Sequence, residues 1–299
     1  MKILITGSTG FVGRNLVLLL LKGKHQILEI TRNLDKSQSL FGETTEKYEI
    51  TDDQKALKTA IKQFNPEIVI HLAAMLTASD DYESMQKLLN SNINFLCRLL
   101  DALIETQIKL FVNTGTFAEY YNGDGILDPA YLYAATKTAS RAFVDYYSKT
   151  FKYKQITIVP YTIYGGQDSQ KKIIDIILDS TRSNVPIDLS PGDQILDFIH
   201  IDDVVNLYFR VVENADSLPI KAIINAGTGK GTSLKQMAKI IEDITNDKSN
   251  INWGGKLYRN SDVMYAVAEI GNIDKIINWT PHISLNLGIE NYIKQKTNN

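Results

Sequence analysis

The chain has 299 residues, 44% of them hydrophobic and 22% charged, a balance that suits a packed α/β protein and excludes a disordered chain. A formal charge of −2 offers no basic field for a nucleic-acid backbone, so an anionic ligand would need locally placed cations. One cysteine, Cys97, rules out an internal disulfide, and four scattered histidines show no metal-ligand spacing.

From the N-terminus, Lys2 to Thr6 reads as a buried strand, Val12 to Leu21 as a helix and Gln26 to Thr31 as a second strand. Asp53 to Gln63 is predicted helical, Glu67 to Leu72 a strand, Ser84 to Glu105 one long helix, and Lys109 to Asn113 a strand. Tyr131 to Phe151 follows as a long helix and Ile156 to Val159 as a strand. Near-continuous apolar strands alternating with helices predict a parallel sheet covered on both faces, a Rossmann-like doubly wound α/β fold. After Tyr164-Gly165-Gly166 the pattern loosens: helices over Lys171 to Ser183, Asp203 to Glu213 and Ser233 to Thr245, strands over Gln194 to Ile201 and Ala222 to Asn225, then a mixed tail. The expected division is a dinucleotide-binding domain over 1–164 with parts of 194–230, and a smaller α/β substrate lobe from 165–193 and 231–299. The run Leu16 to Leu21 is too short to span a bilayer and the N-terminus lacks a signal-peptide pattern, so a cytoplasmic protein without membrane or nucleic-acid partners is expected.

Gly7-Ser8-Thr9-Gly10-Phe11-Val12-Gly13 lies between the first strand and the first helix. Such glycines permit a tight turn, approach of a diphosphate to the backbone, and close helix–strand packing, while the helix N-terminus offers free N–H groups. NAD binders usually end the second strand with an acid for the ribose 2′-OH; here it ends Ile30-Thr31-Arg32-Asn33, and Arg32 suits a 2′-phosphate. That position favours NADP(H), with NAD(H) the alternative.

Tyr133-Ala134-Ala135-Thr136-Lys137 puts a phenol and an ammonium one helical turn apart. The cation is expected to lower the phenol's pKa, readying it to exchange a proton with a carbonyl or alcohol oxygen. With 15 tyrosines such a pair arises readily by chance. Its place after Leu110 to Asn113 and the polar turn Thr114-Gly115-Thr116 is what singles it out.

Together with His71-Leu72-Ala73-Ala74, Tyr164-Gly165 and Asp197-Phe198-Ile199-His200-Ile201-Asp202-Asp203, these motifs resemble the extended short-chain dehydrogenase/reductases, within them the NAD-dependent epimerase/dehydratase family. The resemblance implies Thr116, Tyr133 and Lys137 as the catalytic set. It implies Gly7, Thr9, Gly10, Phe11, Val12 and Gly13 at the cofactor diphosphate, and Glu49 and Ile50 at the adenine. Leu72, Ala73, Ala74, Asn92, Thr114, Tyr133, Lys137 and Tyr161 would lie along the rest of the cofactor, Thr116 and Thr162 at the substrate. It also implies a homodimer through a helix bundle, where Leu88 to Leu103 and Tyr133 to Phe151 are the apolar patterns. Family dehydratases follow the Thr with Asp-Glu; Phe117-Ala118 here cannot carry a proton, which argues against dehydration. Leu196 and Pro160 replace family arginines, leaving Arg259 and Lys171 (or Lys172) as candidates for the substrate's diphosphate. The pattern is most similar to nucleotide-linked 4-keto-6-deoxysugar reductases of the CDP-abequose and CDP-paratose type, which serve O-antigen lipopolysaccharide. An NAD-dependent 4-epimerase and a non-catalytic dinucleotide sensor are the alternatives. Gly227-Thr228-Gly229-Lys230-Gly231 lacks the Ser/Thr that must follow a P-loop lysine, so ATP binding there is rejected.

Overall fold

The computed structural model describes residues 1–168, 170–271 and 276–297. Thirteen strands are described: β1 (Lys2–Thr6), β2 (Gln26–Thr31), β3 (Glu46–Glu49), β4 (Ile68–His71), β5 (Leu110–Thr114), β6 (Lys154–Pro160), β7 (Thr162–Tyr164), β8 (Ile187–Leu189), β9 (Ile195–His200), β10 (Lys221–Ala226), β11 (Gly231–Ser233), β12 (Ile251–Trp253) and β13 (Tyr265–Ala266). The described α-helices are α1 (Phe11–Lys22), α2 (Leu34–Phe41), α3 (Gln54–Phe64), α4 (Tyr82–Leu88), α5 (Phe95–Ala102), α6 (Leu132–Phe151), α7 (Ile173–Ser180), α8 (Ile201–Glu213), α9 (Leu234–Thr245) and α10 (Leu285–Thr297).

Seven strands form one parallel sheet in the order β10-β6-β5-β4-β1-β2-β3. β1 lies between β2 and β4, pairing Ile5 with Ile70 and Thr6 with His71. The central strands are apolar because both faces are covered. On one face α1 and α8 bury Leu16, Val17, Leu20, Val204, Tyr208 and Val211 against Ile3, Ile5, Ile70 and Val112. On the other, Leu57 and Ile61 of α3, Leu96 and Leu99 of α5 and Val144 of α6 meet Leu4, Val69 and Phe111. The burial of Gly13, Leu16, Val17 and Leu20 in α1 shows the 3–4 spacing of a helix laid on a sheet.

The order reverses between β1 and β4, so a crevice opens at the carboxyl ends of these strands, the place where open α/β sheets bind their ligands. The rest of the chain packs at that end. β9 pairs with β7, β11 and β13, β8 pairs with β12, and α7, α9 and α10 bury Ile177, Met237, Ile241 and Ile289 in a separate core with Tyr164.

Two parts differ from the sequence expectation. The span 84–105 is not one helix: α4 and α5 are joined by a π-helical turn, Leu89–Asn94, which rotates Asn92 into the interior. α2, β3, β7, β8 and β11 are additional elements; β3 reads Glu46-Lys47-Tyr48-Glu49, an edge strand with too few apolar residues to show a strand pattern. No helix among the described residues is long and apolar enough to cross a membrane.

Candidate active site

Gly7 follows β1 at φ +73°, and a Cβ on it would stand 2.7 Å from the Ala73 nitrogen. A Cβ on Gly13 would lie 2.1 Å from the Gly7 oxygen, so this helix–turn contact admits no side chain. Gly10 caps α1 without a side-chain acceptor, which leaves the helix's first N–H groups to a ligand. The turn opens on a groove of about 1270 Å³ whose walls include Gly7, Thr9, Gly10, Arg32, Ile50, Leu72, Ala73 and Ala74, all expected from the sequence. Its residues fit a dinucleotide: a bare turn and open helix end for a diphosphate, then an apolar passage. Glu49 is exposed and does not line the groove; Ile50 and Asp52 do. Phe11 and Val12 are half-buried and Gly13 is buried behind the turn.

Beyond β2, Arg32, Asn33 and Lys36 share one wall. Asn33 caps α2, its Oδ1 accepting from the Lys36 N–H at 2.8 Å, so a helix N-terminus and two cations meet there. Lys36 escaped the sequence reading because α2 did. Thr6 Oγ1 joins the two central strands, accepting from the Ala73 N–H at 3.2 Å and meeting His71 Nδ1 at 2.9 Å. His71 is fully buried, and burial, helped by the nearby Lys137 charge, brings its pKa down to about 3; it is neutral at ordinary pH.

Asn92 is buried under the groove floor. Its amide binds both Met75 backbone groups, accepting from N at 2.7 Å and donating to O at 3.0 Å, and donates to Thr136 Oγ1 at 3.0 Å. It thereby locks the chain after β4 to α6.

Tyr133 and Lys137 lie in the first turns of α6, beside the end of β5 and the 3₁₀ turn Phe117–Glu119. Thr116 is buried at the start of that turn, its Oγ1 accepting from the Ala118 N–H at 3.3 Å. Thr114 is held from across the sheet, its hydroxyl 2.7 Å from Tyr208 Oη of α8. Rings wall this end: Tyr131 stacks on Tyr133 with centroids 6.0 Å apart, and Tyr161 on Phe117 at 5.8 Å. Thr162, in β7, is half-buried beside Tyr161.

The expected acidic phenol is not found. Burial pushes Tyr133 above its ordinary value, and the Tyr131 phenol and the Glu119 carboxylate add to the rise. Lys137 is 2% exposed, and burial brings its ammonium down to about 8; Glu119 pushes it up, and the Arg141 cation adds to the lowering. Spacing alone announced the Tyr–Lys pair but not the buried carboxylate beneath it. Thr116-Phe117-Ala118-Glu119 matches the capping-box pattern, a signal that could have located Glu119.

The two substrate cations do not converge on the cleft. Lys171 is exposed and its ammonium is paired with Asp179 of α7. The inward lysine is Lys172: its ammonium sits 3.6 Å from the centroid of the Phe11 ring, donates to the Ile163 oxygen at 2.9 Å and pairs with Asp168 at 3.2 Å. Arg259 is exposed on the loop after β12, a loop held to the turn below Thr116 by Tyr121 Oη donating to the Asn260 oxygen at 2.9 Å. The glycine-rich turn after β10 is occupied by Asp197, which accepts from the N–H groups of Thr228 and Gly229 at 2.9 and 2.8 Å; it is a structural joint.

Residues 3–227 match the family described as the NAD dependent epimerase/dehydratase family. The chain belongs to that family. It is an enzyme, an NAD(P)-dependent oxidoreductase. A relative from Yersinia pseudotuberculosis, a CDP-abequose synthase, is 28% identical over 88% of this chain and 91% of its own. The dTDP-4-dehydro-6-deoxyglucose reductase of Escherichia coli is 24% identical over 98% of this chain and 96% of its own. The structure of the UDP-glucuronic acid 4-epimerase of Bacillus cereus, solved with UDP-glucuronic acid and NAD, shares the fold with TM-score 0.87 at 22% identity, covering 99% of this chain and 100% of that one.

Proposed function

We propose that the enzyme uses NADPH to reduce the 4-keto group of a nucleotide-linked 6-deoxysugar, in the biosynthesis of deoxysugars such as those of O-antigens. Its two named relatives that act on deoxysugar nucleotides support this class of substrate. The observation that carries the catalytic role is the environment of Tyr133, whose phenol is favoured in its protonated form by burial and by Glu119 and so is suited to give up a proton to a developing alkoxide. A donor facing a ketone must hold its proton until charge develops on the oxygen, and a high pKa secures that.

The glycine turn and the open end of α1 would bind the cofactor's diphosphate, Ile50 and Asp52 would flank its adenine end, and Arg32 and Lys36 would take the 2′-phosphate. When bound, the nicotinamide supplies hydride. Thr116 donates a hydrogen bond to the carbonyl oxygen, and Tyr133 gives that oxygen a proton as the alkoxide forms. Lys137, an ammonium below about pH 8, would hold the nicotinamide ribose and would balance the charge left on Tyr133. Phe117 and Tyr161 offer an apolar wall to the sugar's deoxygenated edge. Ala118 stands buried where a dehydratase has an acid, which removes dehydration. Lys171 is turned outward to Asp179 and is set aside in favour of Lys172, which faces the glycine turn through Phe11; Arg259, on the exposed loop after β12, is proposed to reach the substrate's diphosphate only if that loop moves inward.

The test is NADPH absorbance with a panel of CDP-, dTDP- and GDP-linked 4-keto-6-deoxysugars. Consumption with one member and loss of turnover in Tyr133→Phe are expected. Copurifying NAD without net NADPH consumption would establish the epimerase reading instead.

A further inference from the structure

Beneath the proposed reaction centre lies a buried ion pair, Glu119 with Arg141, whose carboxylate does more than raise the Tyr133 pKa. Glu119 is completely buried, and Arg141 is 9% exposed. One carboxylate oxygen of Glu119, Oε1, accepts from the Thr116 N–H at 2.8 Å and from Arg141 Nη2 at 3.0 Å. The other lies 2.7 Å from Arg141 Nε and accepts from Thr138 Oγ1 at 3.3 Å. Thr138 and Arg141 lie on α6, one and four residues past Lys137. The Arg141 guanidinium also faces the Tyr120 ring, 5.5 Å from its centroid. Gly115 makes room for the pair: a Cβ there would stand 2.6 Å from Glu119 Oε1.

Burying two charges is costly, and an apolar pair of similar volume would join these elements as well or better. We infer that Glu119 is a positioning residue: through one carboxylate it fixes the turn that presents Thr116 to the helix that carries Tyr133 and Lys137, and it supplies the counter-charge to the Lys137 ammonium. This rests on the reductase reading of the site, and one of its readouts does not.

The groups that act on Lys137 are Glu119 from the turn and Arg141 from its own helix, and His71, neutral, lies near it at the end of β4. Of these Glu119 is the one that favours the ammonium, and its effect exceeds the opposing effect of Arg141. Removing the carboxylate lowers the Lys137 pKa from about 8, and removing both charges lowers it less.

The experiment is an NMR titration of protein labelled with 13Cε-lysine, the Lys137 resonance assigned by its loss in Lys137→Met. Glu119→Gln keeps an acceptor for the Thr116 N–H and loses the charge; Glu119→Gln/Arg141→Met avoids leaving a lone buried cation should the single variant not fold. Both are expected to shift the Lys137 midpoint to lower pH. With a reducible ketosugar in hand, both are expected to lower kcat about tenfold or more, with KM changed less than about twofold. A midpoint that stays at its wild-type value overturns the proposal, as does a double variant with wild-type kcat. A wild-type enzyme that reduces no ketosugar removes the reductase reading and leaves the titration to decide the role of Glu119.

Discussion

At residue scale the site is built from opposed shifts. Tyr133 is a phenol held protonated by burial, and Lys137 is an ammonium brought within reach of neutral pH by the same burial. The useful form of Lys137 is the charged one. Its pKa is depressed, so that form is complete well below about pH 8 and disappears as pH rises through it. The rate profile of kcat/KM in the free enzyme is therefore expected to be level through neutrality and to fall on the alkaline side of about pH 8. A rate that keeps rising beyond that pH would contradict this. Arg32 and Lys36 make a second residue-scale claim. Charge-assisted contacts to a phosphate are worth about 1.5–3 kcal/mol each, so Arg32→Gln should raise KM for NADPH roughly tenfold to hundredfold. KM for NADH should change little, and equal changes for the two coenzymes would place Arg32 away from the 2′-phosphate.

The π-helical turn between α4 and α5 shows how an element serves the site. It rotates Asn92 inward, where three hydrogen bonds tie the chain after β4 to α6. Asn92→Leu removes the partner of both Met75 backbone groups at the groove wall and of the buried Thr136 hydroxyl, and is expected to cost about 1–3 kcal/mol, measurable by denaturant midpoint. The sheet and its covering helices were legible because continuous apolar runs in the strands and period-3.6 apolar patterns in the helices are consequences of a sheet covered on both faces, as in Ile3-Leu4-Ile5 and Leu16-Val17-Leu20. α2 and β3 were not, since an exposed edge places no demand on apolar order. The turn, the Tyr–Lys pair and Thr116 were readable because their chemistry is fixed by residue type and short spacing. The partners of Asn92 and Glu119, and the pairing of Lys171 with Asp179, depend on contacts between distant segments that no local spacing encodes. For the same reason the phenol's pKa was misjudged: the i, i+4 cation was visible, the low-dielectric surroundings and Glu119 were not.

At the scale of the whole molecule, the parallel sheet places the groove proposed for the cofactor at the reversal of strand order, and the segments after β6 meet the turns after β1 and β5 through Lys172 on Phe11 and Tyr161 on Phe117. The outer face of α6 carries exposed Phe143, Tyr146 and Phe151, and Leu89 is exposed after α4. We propose that a second copy covers this face. A standard interface buries roughly 800 Å² per partner, so Phe143→Asp/Tyr146→Asp should convert a sedimenting dimer to monomer. A wild-type chain that sediments as a monomer at micromolar concentration would remove that proposal. The claim on which the functional account turns is net hydride delivery to a sugar ketone with Tyr133 as proton donor. It is tested most directly by mass spectrometry of the product formed from the 4-keto-6-deoxysugar and NADPH carrying deuterium at the transferred position. One deuterium at sugar C4 per cofactor oxidised is expected, formed at least about a hundredfold more slowly by Tyr133→Phe. A product without deuterium, or a Tyr133→Phe rate equal to wild type, would contradict it.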